Sequence, residues 1–215
     1  MTMLRVLPDL AVYLVLDPAL CGGADGMVAT ARAAAQGGAS VIQLRDKAAD
    51  TAAMTATAHR LRAALDGTGA ALIVNDDVDA ALAAEADGVH VGQTDRPAEE
   101  VRARIGPARL LGVSVETPEA ARAIDPALVD YVGAGPVFAT QSKADHAAPI
   151  GWDGLAALVA AAPVPAVAIG GVKADHAARA RAAGAAGVAV VSAICGQPDP
   201  AAASAGLRRA WEAGQ

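Results

Sequence analysis

Short, almost wholly apolar runs recur along the chain, most of them closed by glycine, aspartate or asparagine, and alanine-rich stretches with helical spacing lie between them. Val12 to Leu16, Val41 to Leu44, Leu72 to Val74 and Gly88 to Val91 are the first four runs. Leu110 to Ser114, Val129 to Gly133, Ala166 to Ile169 and Gly187 to Val191 are the others. Runs so brief and so uniformly apolar are expected of strands covered on both faces, as in a parallel sheet. The stretches between them predict helices over 27–35, 51–65, 79–86, 151–161, 174–183 and 200–213. Two more begin near Pro97, which suits a first helical turn, and at Thr117-Pro118-Glu119, which opens with a capping pattern.

Eight strand–helix units without a linker predict an α/β fold, a single-domain (β/α)8 TIM barrel spanning residues 1–215. The main competitor, an open doubly wound sheet, would carry Gly-x-Gly-x-x-Gly after the first strand, and that motif is not there. In a closed barrel the chemistry lies at the C-terminal strand ends, so the residues found there are the candidates.

Composition narrows the partners. A net charge of −6 disfavours a general nucleic-acid surface, and an aromatic content of 2% leaves little to stack on bases. Cys21 and Cys195 do not make a disulfide framework, and no secretory apolar segment opens the chain. The apolar run from Leu10 to Leu16 stops at Asp17-Pro18, too short to span a membrane. The expectation is a cytoplasmic protein that acts on small molecules without nucleic acid or membrane, and it is compatible with a homo-oligomer.

The third and fourth strands end in carboxylates. If these strands are adjacent, Asn75, Asp76 and Asp95 gather at one edge, where paired acids suit a hard divalent cation. Asp76 or Asp77 would equally serve as the N-cap of the next helix. The second strand runs into Gln43-Leu44-Arg45-Asp46-Lys47, and alternation points Gln43, Arg45 and Lys47 to one side. Two cations beside an amide make an anion cradle, although Arg45 and Asp46 could also pair in a solvated loop. Ser114 ends the fifth strand with no nucleophile-elbow pattern around it, which leaves it the role of hydrogen-bond donor.

After the sixth strand a long loop carries Thr140-Gln141-Ser142-Lys143, two hydroxyls and a lysine suited to clamping phosphate. Gly170-Gly171 and Val191-Ser192 close the seventh and eighth strands, where barrels often bind phosphate through backbone amides. The glycine pair would also suit a plain tight turn. His90 would face the mouth near Asp95, while His59 and His176 fall on predicted helices as surface residues and His146 falls in the long loop. No spacing suggests zinc, and Cys195 reads as a small buried residue. Cations with a metal at one end and a neutral phosphate site at the other fit a diphosphate leaving group and a phosphorylated second substrate.

QLRDK at 43–47, VNDD at 74–77, GVHVGQTD at 88–95, GVSV at 112–115, YVGAGPVFATQSK at 131–143, IGGV at 169–172 and VAVVSAI at 188–194 together resemble the thiamine phosphate synthase family. The resemblance covers nearly the whole chain. It implies a transferase that joins 4-amino-2-methyl-5-hydroxymethylpyrimidine diphosphate to 4-methyl-5-(2-hydroxyethyl)thiazole phosphate, giving thiamine phosphate and pyrophosphate by a dissociative route. It further implies that Gln43, Arg45, Lys47, Asn75, Ser114 and Lys143 hold the diphosphate substrate, with Arg45, Lys47, Ser114 and Lys143 acting in catalysis. Asp76 and Asp95 would bind Mg2+. Thr140, Ser142, Gly171, Val191 and Ser192 would hold the thiazole phosphate, with Leu44, Asp46 and Gln141 included in the substrate-binding segments.

Three positions depart from the family pattern: Ala139 stands where proline is usual, Ser142 where threonine is usual (the hydroxyl is kept), and Glu116 where many members carry histidine. A thiazole tautomerase-like isomerase on a similar barrel would lack the full set of Lys47, Asp76, Asp95 and Lys143. A non-catalytic sensor of thiamine phosphate would not need a cation placed at a leaving group.

Overall fold

Alternation divides each apolar run between two packed layers, and the runs close on themselves. The structure, a computed structural model, describes residues 6–93, 95–140 and 148–214. The strands are β1 (Val12–Val15), β2 (Val41–Leu44), β3 (Ala71–Asn75), β4 (Gly88–Val91), β5 (Leu110–Val115), β6 (Tyr131–Ala134), β7 (Ala166–Ile169) and β8 (Gly187–Val190). All eight pair in parallel and in sequence order, and β8 returns to β1 through Tyr13 opposite Ala189. The fold is a (β/α)8 barrel.

Around it run α1 (Pro18–Cys21), α2 (Ala24–Gln36), α3 (Thr51–Leu65), α4 (Val78–Ala83) and α5 (Ala98–Ile105). They are followed by α6 (Pro118–Arg122), α7 (Gly151–Ala161), α8 (Ala177–Ala182) and α9 (Pro200–Glu212). Among the described residues no helix is long and apolar enough to cross a membrane.

On β1, Val12 and Leu14 pack outward beneath the helices, while Tyr13 and Val15 point into the barrel. The interior is completed by Val41, Ile73, Leu110, Tyr131, Val167 and Ala189, a packed core rather than a pore. Aspartates and a threonine start many of the helices: Asp50, Asp77, Thr117 and Asp199 each accept a backbone N–H from the first turn. Asp77 takes this part at α4, accepting from Ala80 N at 2.9 Å, and so leaves Asp76 for other work.

The structure differs from the sequence-based expectation in several helices. The helix expected over 79–86 ends at Ala83, because Glu85 takes a left-handed conformation with φ of 51°. The stretch expected as one helix over 174–183 is a 3-10 turn, Ala174–His176, followed by α8. The short α1, capped by Asp17 and ended by left-handed Gly22, was not anticipated.

Candidate active site

The C-terminal strand ends surround a cavity of about 190 Å³. Gln43 on β2, and Arg45 and Lys47 on the loop that leaves it, all line the cavity. Leu44, between them, is fully buried in the outer core, and so is no side-chain contact for a substrate. Asp46 does not line the cavity either; its carboxylate accepts from Ala48 N at 3.0 Å, closing the turn.

Adjacent pairing of β3 and β4 sets Asn75 opposite His90 and brings Asp76 to Asp95. Asn75 donates to Asp76 Oδ2 at 2.6 Å, and Gly92 N donates to Asp95 Oδ2 at 2.7 Å. Lys47 Nζ stands 3.9 Å from Asp76 Oδ2. Asp76 has a φ of 62°, a conformation that non-glycine residues seldom adopt and that collects at functional sites. Burial first, and then the neighbouring Asp95 carboxyl, push Asp76 up to about 6, against the pull of Lys47 and Arg45.

Two like charges held together are what a dication relieves, so this donor pair fits Mg2+. Among the described residues no group of three or more His, Cys, Asp or Glu converges on a metal position. Mg2+ commonly takes only one or two carboxylates and completes its shell with water and phosphate oxygens.

Below the mouth lies a polar floor that the sequence reading largely missed. Gln43 Nε2 donates to Tyr13 Oη at 2.7 Å, and Tyr13 and Tyr131 hydroxyls meet at 2.8 Å. His90 Nδ1 lies 3.2 Å from Tyr131 Oη, and its Nε2 lies 3.0 Å from Ser114 Oγ. Burial raises both phenols above their ordinary range, so they remain protonated. Gly112 makes room for this cluster: a Cβ there would come within 2.2 Å of the Tyr131 ring and 2.5 Å of His90 Nδ1. The signal was compositional, since the chain has only two tyrosines and both sit on inward strand positions.

The opposite side of the mouth is formed by Thr140, Gly171, Val191 and Ser192, all of which line the cavity. Gly170 and Gly171 have φ of 94° and 64°, and the turn lies tight against the loop that leaves β6. A Cβ at Gly170 would stand 2.5 Å from Pro136 Cβ, and one at Gly171 would stand 2.8 Å from Phe138 Cβ. Glu116 and Lys173, to which no role was given, also line the cavity. Gln141, Ser142, Lys143 and His146 lie outside the described residues.

His176 is not a plain surface residue. Its ring packs against Phe138 with centroids 4.7 Å apart and against Trp152 at 5.7 Å. Cys195 is buried, as expected, with its thiol donating to Val15 O at 3.7 Å.

A closed (β/α)8 barrel with paired carboxylates, cations and a double-glycine turn around one mouth defines the class: (β/α)8 barrel proteins with a charged cavity at the C-terminal strand ends. Residues 12–194 match the family described as TMP-TENI, thiamine monophosphate synthase. A thiamine-phosphate synthase from Laribacter hongkongensis is 50% identical over 194 residues, which is 90% of this chain and 92% of that one. One from Moorella thermoacetica is 44% identical over 202 residues, 94% of this chain and 96% of the relative. The solved thiamine phosphate pyrophosphorylase from Pyrococcus furiosus matches with a TM-score of 0.86 at 36% identity, over 96% of this chain and 97% of the other. The chain belongs to the thiamine monophosphate synthase family.

Proposed function

We propose that this protein joins 4-amino-2-methyl-5-hydroxymethylpyrimidine diphosphate to 4-methyl-5-(2-hydroxyethyl)thiazole phosphate, releasing thiamine phosphate and pyrophosphate. The observation that carries the reading is the Asp76–Asp95 pair with Lys47 and Arg45 beside it, in one cavity with the Gly170-Gly171 turn. Arg45 and Lys47 bind the diphosphate, and their charge grows in value as the leaving group becomes more anionic. Asp76 and Asp95 would hold Mg2+, which supplies charge neutralisation to the departing diphosphate.

The pyrimidine rests over the floor of Gln43, Tyr13 and His90, and the Ser114 hydroxyl donates into the cavity. The bond from the pyrimidine's exocyclic CH2 to the bridging oxygen breaks, and its electron pair leaves with pyrophosphate. The amino-substituted ring delocalises the positive charge left on that carbon. The thiazole nitrogen then supplies the pair for the new C–N bond. No side-chain nucleophile is needed for this route, and Ser114, 3.0 Å from His90 Nε2, is left to donate a hydrogen bond to the substrate.

The test mixes purified protein, both substrates and Mg2+, and follows pyrophosphate and thiamine phosphate together. Equal release of both products, abolished by chelation, is expected. Tight binding of thiamine phosphate without turnover would replace this reading with that of a sensor.

A further inference from the structure

The charges at the mouth are unevenly distributed. Arg45 and Lys47 belong to the loop that follows β2, next to the carboxylates that follow β3 and β4. Across the barrel, at the ends of β7 and β8, the lining groups Gly170, Gly171, Val191 and Ser192 are uncharged. One lysine, Lys173, stands among them and lines the same cavity. Among the described residues it has no carboxylate partner, unlike Lys47, which faces Asp76 at 3.9 Å.

The backbone of Lys173 is fixed at this position. Its N–H donates to His176 Nδ1 at 3.3 Å, and the His176 ring is held by Phe138 and Trp152. Phe138 and Trp152 pack edge to face at 5.1 Å, and the Arg179 guanidinium covers Trp152 at 5.1 Å from the ring centre. Phe138 N donates to Gly170 O at 3.0 Å, which ties the same cluster to the double-glycine turn. With one phenylalanine and two tryptophans in the chain, placing two of these three rings here concentrates rare rigid material on one turn.

We propose that Lys173 is the specificity-determining residue for the monophosphate of the second substrate, selecting it over the corresponding unphosphorylated alcohol. The proposal rests on the two-substrate reading above. Backbone amides and a hydroxyl hold phosphate oxygens well but distinguish a dianion from a neutral hydroxyl weakly. An ammonium carried on a turn whose backbone is held in place makes that distinction by charge.

The test compares wild type, Lys173→Gln and Lys173→Arg with each substrate varied in turn. Lys173→Gln should raise KM for the thiazole phosphate ~10-fold, as loss of one charge-assisted contact implies. KM for the pyrimidine diphosphate should not move, and the preference for phosphorylated over unphosphorylated thiazole should fall by the same factor. Lys173→Arg should restore most of it. An unchanged KM for the thiazole phosphate, or a change in the diphosphate KM instead, overturns the assignment.

Wild-type turnover in the same assay is the separate test of the reaction. If wild type does not turn over, inorganic phosphate serves as the probe. A phosphate-dependent rise in melting temperature present in wild type and lost in Lys173→Gln supports the site, and equal rises overturn it.

Discussion

The imidazole of His90 links a fully buried phenol to the cavity: its Nδ1 is 3.2 Å from Tyr131 Oη and its Nε2 is 3.0 Å from Ser114 Oγ. The carboxamide nitrogen of Gln43 donates to Tyr13 Oη, and the Tyr13 and Tyr131 hydroxyls share a hydrogen bond in which either can be the donor. With Tyr131 donating to His90 Nδ1, the imidazole would carry its proton on Nε2 and donate it to Ser114 Oγ, leaving the serine proton for the substrate. Tyr131→Phe removes the group that sets this direction. It should lower kcat/KM by about 10- to 100-fold and stability by about 1–3 kcal/mol, the latter from the buried Tyr13 hydroxyl losing its Tyr131 partner. Steady-state kinetics and urea unfolding read the two effects. An unaltered kcat/KM would show that the serine does not depend on this chain.

Asp76 gives a pH dependence whose sign follows from its environment. Burial and the Asp95 carboxyl raise it to about 6, so below that pH it keeps a proton that a dication must displace. Mg2+ affinity should therefore climb as pH rises through about 6 and level off above it, with proton release on binding. The folded state holds this proton more tightly than the unfolded one. Without metal, stability is thus lost as pH rises from the ordinary carboxylate range through about 6. Titration calorimetry in buffers of different ionisation enthalpy measures the released proton. Asp95→Asn, which removes the like charge, should weaken Mg2+ and also flatten the pH dependence.

The barrel was legible because its signal is repetitive. Eight apolar runs, each followed by a helical stretch, survive errors of a residue or two at each end, and β4, β7, α3 and α7 fall on the residues expected. That Arg45, Lys47, Asp76 and Asp95 line one cavity was legible because a closed barrel brings charges at its C-terminal strand ends to one mouth. Lys173 and the floor were harder to see. Tyr13 and Tyr131 are 118 residues apart, and nothing local says that their hydroxyls meet. Lys173 was hidden by its neighbours, since Gly170-Gly171 explains the turn without it. Leu44 and Asp46 came in with a motif quoted as a block, whereas alternation alone assigns only Gln43, Arg45 and Lys47 to the mouth.

At the other end of the barrel, Arg102 closes the start of β5 and β6. It donates to Leu128 O at 2.8 Å, to Gly106 O at 2.9 Å and to Arg109 O at 2.7 Å. It also meets Asp130 Oδ2 at 2.8 Å, with both side chains 9% exposed. That same oxygen accepts from Leu111 N at 2.7 Å. Arg102→Ala takes the countercharge from a buried carboxylate and a donor from several carbonyls, so a loss of about 3–5 kcal/mol is expected in urea unfolding. Below the melting point kcat should stay near wild type, because the chemistry lies at the opposite strand ends. A large fall in kcat with intact stability would contradict this division of the barrel.

His176 joins two functions that substitution can separate. Its Nδ1 accepts from Lys173 N, and its ring fills the space between Phe138 and Trp152. Phenylalanine at 176 keeps the ring and loses the acceptor, so the turn that carries Lys173 loosens. KM for the phosphorylated thiazole should rise about 5-fold, the worth of one ordinary hydrogen bond, with little change in melting temperature. Asparagine keeps a side-chain acceptor and loses the ring. It should bind the substrate nearly as wild type does while melting at a lower temperature, since the aromatic contacts are lost. If His176→Phe and His176→Asn weaken substrate binding equally, the acceptor is not what holds Lys173, and packing alone places the turn.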